Sequence, residues 1–238
     1  MRTEASLANQ RVAALIPAAG RGVRMGGAVT KPFLRLGDRE ILARTLEVFE
    51  NCTLIEEIWL IVGAEHCTWC QQAIVKRYGF QKVRGVVVGG ATRQESVWRG
   101  LLRVQPPIEI VVVHDGVRPL VTEALVAATV HSAMCNGAAI AAVPLKDTLK
   151  RVSASGEVEA TVPREHLWRT QTPQVFRRHL LYAAFRHAWE HGLWATDEAG
   201  LVEAFGHPVH VVLGLESNVK ITTPDDLVFC ERFVREQV

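Results

Sequence analysis

The sequence has no long apolar segment and little excess charge of either sign. A membrane-spanning helix needs about 20 consecutive apolar residues, and no stretch of this chain supplies them. Residues 1–10 are polar and lack the apolar region of a signal peptide, so we expect a cytoplasmic protein. A net charge of +2 and a pI near 8.3 provide no general attraction for nucleic acid. We therefore expect neither a membrane nor a nucleic-acid partner.

The cysteines do not suggest a disulfide framework. There are five of them, an odd number, and Cys67 and Cys70 form a Cys-x-x-Cys pair without a second such pair. Structural zinc sites need four ligands, which this pair does not provide even with the adjacent His66. Because the two cysteines are three residues apart in a predicted helix, we interpret them as reduced core residues.

Two common phosphate-binding motifs are also absent from the glycine-rich loop near the start of the chain. The glycines from Gly20 onward are spaced G-x-G-x-x-x-G, which is one residue too long for the dinucleotide-binding fingerprint. No Gly-Lys-Ser/Thr follows them, so the loop is not a Walker A motif either. Hydride transfer and P-loop hydrolysis are therefore disfavoured.

What the loop does contain is small residues and positive charge. It follows a short apolar run at residues 12–16, and its basic side chains are Arg21, Arg24 and Lys31. Glycines let backbone N–H groups approach an anion closely. A glycine-rich turn with solvated basic residues is the alternative, but the three basic residues favour a polyphosphate-binding loop.

Strand-like and helical segments alternate through most of the chain, which is typical of parallel strands joined by crossover helices. We predict an α/β, Rossmann-like fold, in which a mostly parallel, twisted sheet carries helices on both faces, in a single domain spanning 1–238. The predicted strands are 12–16, 58–62, 86–88, 108–113, 138–143 and 209–213. The predicted helices are 41–49, 68–78, 94–104, 123–136, 178–191, one that is capped by residues 196–198, and a last one from 224.

One segment has a different pattern, that of an antiparallel hairpin. Residues 149–152 and 158–162 flank a turn of serines and glycine, and we see no other antiparallel pattern. The hairpin is too short to bury a core, so we predict a protruding β-hairpin arm, within a subregion at 144–174, that packs on a second copy of the chain. A hairpin folded over its own sheet is the alternative. We predict loops at 163–164 and 170–174.

Nine polar residues after predicted strands or in loops suggest a site, and five of them are cationic. They are Arg24, Lys31, Ser96, Asp115, Arg118, Arg164, Thr172, Thr196 and Lys220. None is a serine or cysteine beside a histidine base, so the set suits phosphoryl transfer, which needs in-line positioning and charge neutralisation. Asp115 would contact a divalent cation such as Mg²⁺, or the cation would be held through the nucleotide's phosphates.

Each of these residues also has a purely structural interpretation. Asp115 and Arg118 are placed to form an ion pair that closes a strand, and Lys220 to be a solvated residue before the last helix. Thr172, followed by proline, is placed to form a turn. His114 we interpret as a buried structural residue.

A series of short motifs occurs in a recognisable order. The motifs are Pro17–Gly20, Arg24–Gly26, Lys31–Phe33, Gly89–Gly90 with Arg93 and Ser96, His114–Asp115 with Arg118, Lys146–Thr148, Val162–Arg164, Thr172–Gln174, Thr196–Ala199 and Asn218–Thr222. Together they resemble the 2-C-methyl-D-erythritol 4-phosphate cytidylyltransferase family of the non-mevalonate isoprenoid pathway. The resemblance runs from about residue 11 to the last helix. Gly116 departs from it, since alanine is more usual at that position.

The resemblance implies an enzyme that joins CTP and methylerythritol phosphate to give 4-diphosphocytidyl-2-C-methyl-D-erythritol and pyrophosphate. It also implies the use of Mg²⁺ or another divalent cation, and a homodimer formed through the β-arm. A cytidylyltransferase for another polyol phosphate, such as ribitol 5-phosphate, and a non-catalytic nucleotide-binding module are the alternatives.

The resemblance also assigns roles to individual residues. The implied nucleotide-binding residues are Pro17, Ala18, Ala19, Gly20, Gly22, Gly89, Gly90, Arg93, Ser96 and Asp115. The implied catalytic residues are Arg24, Lys31, Arg164 and Lys220. The residues implied around methylerythritol phosphate are Asp115, Arg118, Thr148, Arg164, Thr172, Thr196 and Lys220, with Thr148, Arg164 and Thr172 reaching it from the partner's arm.

Overall fold

The computed structural model describes residues 10–20 and 30–236. The strands in these residues that form the central sheet are β1 Arg11–Pro17, β4 Ile55–Val62, β5 Val83–Val88, β6 Ile108–Val113, β7 Ala138–Pro144, β10 Trp168–Arg177 and β11 His210–Leu213. Their order across the sheet is β11-β7-β10-β6-β1-β4-β5. Two small antiparallel pairs lie outside it: β2 Arg35–Leu36 with β3 Arg39–Glu40, and β8 Leu149–Val152 with β9 Val158–Val162.

Helices connect most of the strands. They are α1 Ile41–Asn51, α2 Cys67–Trp69, which continues as a π-helix at Cys70–Lys76, α3 Arg93–Leu101, α4 Glu123–Asn136, α5 Arg178–His191, α6 Glu198–Ala204 and α7 Pro224–Glu236. Across the residues that the structure describes, no helix has the length and apolar character needed to cross a membrane.

Strand β1 shows why the sheet carries helices on both faces. Val12 and Ile16 belong to one buried apolar cluster, which includes side chains of α1 and α4. Ala13 and Leu15 belong to a second cluster, which includes side chains of α3 and α5. Side chains alternate between the two faces of a strand, so this apolar run buries residues on both sides. The mostly parallel sheet between two helical layers confirms the predicted fold class.

Helix ends follow the chemistry expected from the sequence. The Thr122 hydroxyl accepts the N–H of Leu125 at 3.2 Å and caps α4. Gly137 ends that helix with a φ of +90°, a conformation that glycine adopts without strain. The Asp197 carboxylate accepts the N–H of Gly200 at 3.0 Å and caps α6. These contacts confirm the predicted starts and ends.

Strand β10 corrects two predictions. We expected residues 170–174 to be a loop and the hairpin arm to be the only antiparallel segment, but β10 runs antiparallel to both β6 and β7. The polar side chains that suggested a loop instead find hydrogen-bond partners in segments next to the sheet. Gln171 donates from Nε2 to the carbonyl of Leu215 at 2.7 Å, and Gln174 donates from Nε2 to Asp197 at 2.8 Å.

The hairpin formed by β8 and β9 has the predicted bounds and is antiparallel. Its larger apolar side chains are exposed: Leu149 by 37%, Val152 by 49% and Val158 by 62%. The short hairpin of β2 and β3 was not predicted. It turns at Gly37, whose φ is +68°.

All five cysteines are free thiols, as predicted. Cys70 is fully buried, and burial raises the pKa of its thiol to about 12. Cys67 is half-buried and donates to the carbonyl of Gly63. A raised pKa keeps a thiol protonated and unreactive, which agrees with a role in packing.

Candidate active site

A cleft of about 770 Å³ opens where β1, β5 and β6 end. The carboxyl ends of parallel strands meet at one edge of a sheet, where ligands bind in this type of fold. The predicted site residues that line the cleft are Pro17, Ala18, Ala19, Gly20, Lys31, Gly90, Arg93, Ser96, Asp115 and Lys220. Pro32, Ala91, Thr92, Val117, Ile221 and Thr222 also line it. Gly22 and Arg24 lie outside the described residues.

Two backbone segments approach closely at one wall of the cleft. Pro17–Gly20 follows β1, and Gly89 follows β5. A Cβ on Gly89 would lie only 2.6 Å from the Cβ of Ala19, so a side chain there would force the two segments apart. At Gly20 an added Cβ would meet no atom of residues 10–20 or 30–236 within 4 Å, so these residues leave that side open to the cleft.

Ser96 fixes the second of these segments from α3. Its hydroxyl oxygen accepts the N–H of Gly90 at 3.0 Å, and its O–H donates to the carbonyl of Thr92 at 2.8 Å. The side chain is buried. Ser96 therefore shapes the cleft wall by holding the Gly90 backbone.

Lys31 enters the cleft from the short helical turn that follows the glycine-rich loop. It is buried, and its Nζ donates to the carbonyl of Thr222 at 2.7 Å. Phe33, on the same turn, packs against the rings of His66 and Trp69 at centroid distances of 4.8 Å each. The turn is thus held by α2 on one side and by the segment before α7 on the other.

Asp115 lies among three cations at the end of β6. Its carboxylate is 2.9 Å from Lys220 Nζ, 3.3 Å from Arg93 Nε and 3.5 Å from Arg118 Nε. Burial by itself raises the pKa of Asp115, but the three cations lower it more, so the pKa falls well below its usual range. The group is therefore a carboxylate at neutral pH.

Arg93 bridges two carboxylates. Its Nη1 lies 2.7 and 2.9 Å from the two oxygens of Glu198, and its Nε faces Asp115. Glu198 is buried, and burial raises its pKa although Arg93 opposes this. The guanidinium that the resemblance assigned to the nucleotide thus contacts protein carboxylates through both Nη1 and Nε.

Arg118 lies behind Asp115 and does not line the cleft. It is buried, and its Nη1 donates to the carbonyl of Asn218 at 2.7 Å. Asn218 in turn donates from Nδ2 to the carbonyl of Thr172 at 2.8 Å. Arg118 therefore connects Asp115 to the segment that carries Lys220.

Thr172 and His114 support the same aspartate from below. The Thr172 hydroxyl oxygen accepts the N–H of Asp115 at 3.1 Å, and it lies 3.0 Å from His114 Nδ1. His114 Nε2 faces the carbonyl of Arg118 at 3.1 Å, so Nε2 carries the proton and Nδ1 accepts from Thr172. Burial lowers the pKa of His114 to about 4. The histidine is neutral and buried, in agreement with its structural interpretation.

Thr172 does not lie where the resemblance suggested. It was expected to reach the site from the partner's arm, but it belongs to β10 of the central sheet and contacts Asp115 of its own chain. Because β10 is antiparallel, its first half lies at the edge where β6 ends. The Thr172 hydroxyl is already used by two protein groups, and the residue is buried.

The remaining predicted residues lie outside the cleft. Thr148 and Arg164 are exposed in the arm region, and Arg164 donates to the carbonyl of Lys146. Thr196 is exposed in the segment before α6. Gly89 lies behind the wall, next to Ala19. A single chain therefore does not bring Thr148, Arg164 or Thr196 to the cleft lining.

The acids near the cleft do not form a magnesium-binding set. Within residues 10–20 and 30–236, no group of three histidine, cysteine or acidic side chains is placed to hold a metal. Asp115 and Glu198 both face cationic side chains. A divalent cation at Asp115 would be repelled by those neighbours, so the surroundings favour a cation held by nucleotide phosphates.

The sequence profile of the 2-C-methyl-D-erythritol 4-phosphate cytidylyltransferase family matches residues 12–236, the part of the chain that contains this cleft. The chain belongs to this family. It is therefore a nucleotidyltransferase, a cytidylyltransferase-family enzyme of the non-mevalonate isoprenoid pathway.

Individual relatives agree with this family. The 2-C-methyl-D-erythritol 4-phosphate cytidylyltransferase of Geobacter metallireducens is 46% identical over 230 residues, which cover 95% of this chain and 99% of the relative. The crystal structure of 4-diphosphocytidyl-2C-methyl-D-erythritol synthase from Anaerococcus prevotii has a TM-score of 0.85 at 32% identity, covering 98% of this chain and all of that one. The Thermus thermophilus cytidylyltransferase has a TM-score of 0.77 at 36% identity, covering 95% of this chain and 100% of the other.

Sequence reasoning about this cytidylyltransferase missed the residues behind Asp115. Glu198 lies in the Thr196–Ala199 motif, where we interpreted it only as part of a helix start. Asp197 caps the helix, so Glu198 is not needed for capping and its side chain is available for another contact. This second acid directly after the cap was the available signal in the sequence. Asn218 belongs to the Asn218–Thr222 motif, but we assigned it no role.

Proposed function

We propose that this enzyme joins CTP and methylerythritol phosphate to give 4-diphosphocytidyl-2-C-methyl-D-erythritol and pyrophosphate. The observation that carries the proposal is the charge at the carboxyl edge of the sheet, where Asp115 is held by three cations beside a glycine-walled cleft. Two phosphorylated substrates need such excess positive charge to approach each other. The family membership supports the choice of substrates.

The transfer needs no general base, because the acceptor phosphate is already ionised at neutral pH. One of its oxygens attacks the α-phosphorus of CTP, and the bond from that phosphorus to the pyrophosphate oxygen breaks. Catalysis then consists of alignment and charge neutralisation. We assign the nucleotide to the wall formed by Pro17–Gly20 and Gly90, and the charge that develops during transfer to Lys31 and Arg24.

Asp115 and Lys220 are the groups that we assign to the acceptor. A carboxylate accepts hydrogen bonds from the hydroxyls of a polyol, and an ammonium 2.9 Å away is suited to its phosphate. Arg118 and Thr172 are buried behind Asp115, so we assign them to positioning it and not to direct contact with the acceptor.

A divalent cation, Mg²⁺ in our proposal, would arrive with CTP. Held by the phosphates, it would supply additional neutralisation of their charge. Asp115 and Glu198 face cationic side chains, and the described residues contain no group of three histidine, cysteine or acidic side chains placed to hold a metal. We therefore assign no protein ligand to the metal in the transfer.

We also propose that the enzyme is a homodimer, with residues 1–238 as one nucleotidyltransferase domain. Within the predicted subregion 144–174, the β-arm is the part between β7 and β10, because β10 belongs to the central sheet. The hairpin exposes Leu149, Val152 and Val158, and arms related by a two-fold axis would cover such residues on both copies. Thr148 and Arg164 would then reach the partner's cleft, which a single chain leaves without them. A cytoplasmic location stays a prediction.

A pyrophosphate-release assay with a panel of acceptors tests the proposal. With CTP and Mg²⁺, methylerythritol phosphate should give the highest kcat/KM, and UTP or ATP should be poor substitutes for CTP. Preference for ribitol 5-phosphate would overturn the choice of acceptor. Binding of CTP without pyrophosphate release in the presence of any acceptor would indicate a nucleotide-binding module instead.

A further inference from the structure

Glu198 is a buried carboxylate to which the mechanism above gives no role. It stands at the first position of α6 and is 1% exposed. Both of its oxygens contact Nη1 of Arg93, while Nε of the same guanidinium contacts Asp115 at 3.3 Å. A continuous chain of charged contacts therefore runs from α6, through the first residue of α3, to the aspartate in the cleft.

The segment just before Glu198 is tied to the same end of α3. Gln94 donates from Nε2 to the carbonyl of Leu193 at 3.3 Å, and its Oε1 accepts the N–H of Ala195 at 3.2 Å. Arg93 and Gln94 thus hold neighbouring parts of the segment that carries Thr196. The contacts differ in one respect. Gln94 binds the segment through neutral hydrogen bonds, whereas Arg93 binds it through the charged Glu198 and also contacts Asp115.

We propose that Glu198 is a positioning residue for the transfer reaction, acting through Arg93 to orient the carboxylate of Asp115 toward the acceptor. This inference rests on the function proposed above. A guanidinium is a planar group with a fixed set of donors, so the contact of Nη1 with Glu198 sets the direction in which Nε meets Asp115. Without that contact, the direction of Nε, and with it the position of the Asp115 carboxylate, is no longer fixed.

The alternative is that the Glu198–Arg93 pair only stabilises the fold. Breaking a buried pair destabilises a protein because one charge is left without a partner, so loss of stability by itself does not separate the two roles. The distinguishing property is which kinetic constant changes. A positioning role predicts an effect on turnover and on the acceptor, with CTP binding largely kept.

The test compares wild-type enzyme with Glu198→Gln, Glu198→Asp, Arg93→Lys and the double variant of Glu198→Gln with Arg93→Lys. Gln94→Met is the matched control, because it releases the same segment without removing a charge. We expect Glu198→Gln to lower kcat/KM for methylerythritol phosphate by about 10- to 100-fold, with a much smaller change in KM for CTP. Glu198→Asp should be intermediate, and Glu198→Gln should add little in the Arg93→Lys background, since both act on one contact.

The outcomes separate this inference from the proposed function. A wild-type enzyme that releases no pyrophosphate would overturn the function, whereas an active wild type with an unaltered, folded Glu198→Gln variant would overturn the inference alone. If Gln94→Met reproduces the acceptor-side loss in full, Glu198 merely anchors the segment and the inference is wrong. If Glu198→Gln does not fold, Glu198→Asp decides: a partial acceptor-side loss supports the inference, and wild-type kinetics contradict it.

Discussion

The hydroxyl of Thr172 lies 3.0 Å from Nδ1 of His114 and accepts the main-chain N–H of Asp115 at 3.1 Å. Asp115 is consequently fixed from two directions. Its main chain is held by the neutral Thr172–His114 pair below the cleft, and its carboxylate is held by cations at the sides. The position of this carboxylate therefore depends on residues that do not line the cleft.

Removing the Thr172 hydroxyl should disturb Asp115 without changing the shape of the core. In Thr172→Val the N–H of Asp115 and Nδ1 of His114 both lose a partner, which costs about 1–3 kcal/mol of stability. We expect kcat/KM for the acceptor to fall by about 10- to 100-fold. Thr172→Ser keeps the hydroxyl and should stay close to wild type in both kinetics and denaturant unfolding. Equal activity in the Val and Ser variants would contradict this role.

His114 should make the protein sensitive to acid. Burial lowers its pKa from 6.5 to about 4 in the folded protein, so the unfolded chain binds a proton that the folded chain excludes. The stabilising contribution is fully present above pH about 6.5 and is lost as the pH falls toward about 4, up to about 3 kcal/mol in total. Urea unfolding across this pH range measures it.

His114→Gln is the comparison for that experiment, because glutamine does not titrate. Asp115 is present in both proteins, so the contribution of its lowered pKa cancels in the comparison. We therefore expect a smaller loss of stability between pH 6.5 and 4 in the variant. The same pH dependence in both proteins would show that His114 is not the responsible group.

The fold could be predicted from the sequence where each element satisfies its own local rules. The helix from Glu123 begins after a capping threonine and ends before a glycine, and both signals are local. Strand β10 could not be predicted in this way. Its polar residues at 170–174 resemble a loop, and they fit a strand only because β6, β7 and side chains distant in the sequence complete their hydrogen bonds.

The site, like the fold, could be predicted only in part. Lys31, Asp115 and Lys220 follow elements that end at one edge of the sheet, so their convergence could be anticipated from the fold class. The sequence offered a sign that Glu198 is not needed for capping, but its partner Arg93 could not be identified from spacing, because the contact joins residues 105 positions apart. Such a contact is fixed by the packing of α6 on the sheet, not by spacing along the chain.

Lys31 should matter more for turnover than for binding. If its ammonium meets charge that grows during transfer, Lys31→Ala should lower kcat by about 100-fold or more, with a smaller change in the Kd for CTP. Lys76→Ala, at an exposed lysine, is the control and should leave both unchanged. Calorimetric binding with steady-state kinetics provides the comparison. A variant that loses CTP affinity but keeps its kcat would refute the catalytic assignment.

The glycines of the cleft wall should differ in their tolerance of substitution by alanine. An added Cβ at Gly90 would lie 2.3 Å from the Cβ of Glu95, so Gly90→Ala should cost about 1–3 kcal/mol of stability and weaken CTP binding. At Gly20 an added Cβ would meet no atom of the described part of the chain within 4 Å, so Gly20→Ala should keep its thermal stability and still bind CTP less well, because the methyl group takes nucleotide space. Undiminished CTP affinity in Gly20→Ala would place the nucleotide elsewhere.

The proposed shared site makes a prediction about mixed dimers. Arg164→Ala and Lys31→Ala chains should each be nearly inactive alone. In a mixed dimer one cleft carries both lesions and the other carries neither, so an equal mixture should recover about a quarter of wild-type activity after subunit exchange. Exchange is verified by mass spectrometry of differently tagged chains. Verified exchange without recovery, or a fully active monomer, would contradict the shared site.

The most direct test of the account follows the bond that the transfer forms. Methylerythritol phosphate labelled with ¹⁸O at its phosphate oxygens is incubated with CTP, Mg²⁺ and enzyme, and the products are examined by ³¹P NMR. Attack of the acceptor phosphate on the α-phosphorus predicts a cytidine diphosphate product with ¹⁸O in the bridge between its two phosphorus atoms, together with unlabelled pyrophosphate. A bridge without ¹⁸O, label in pyrophosphate or unconsumed CTP would contradict the account.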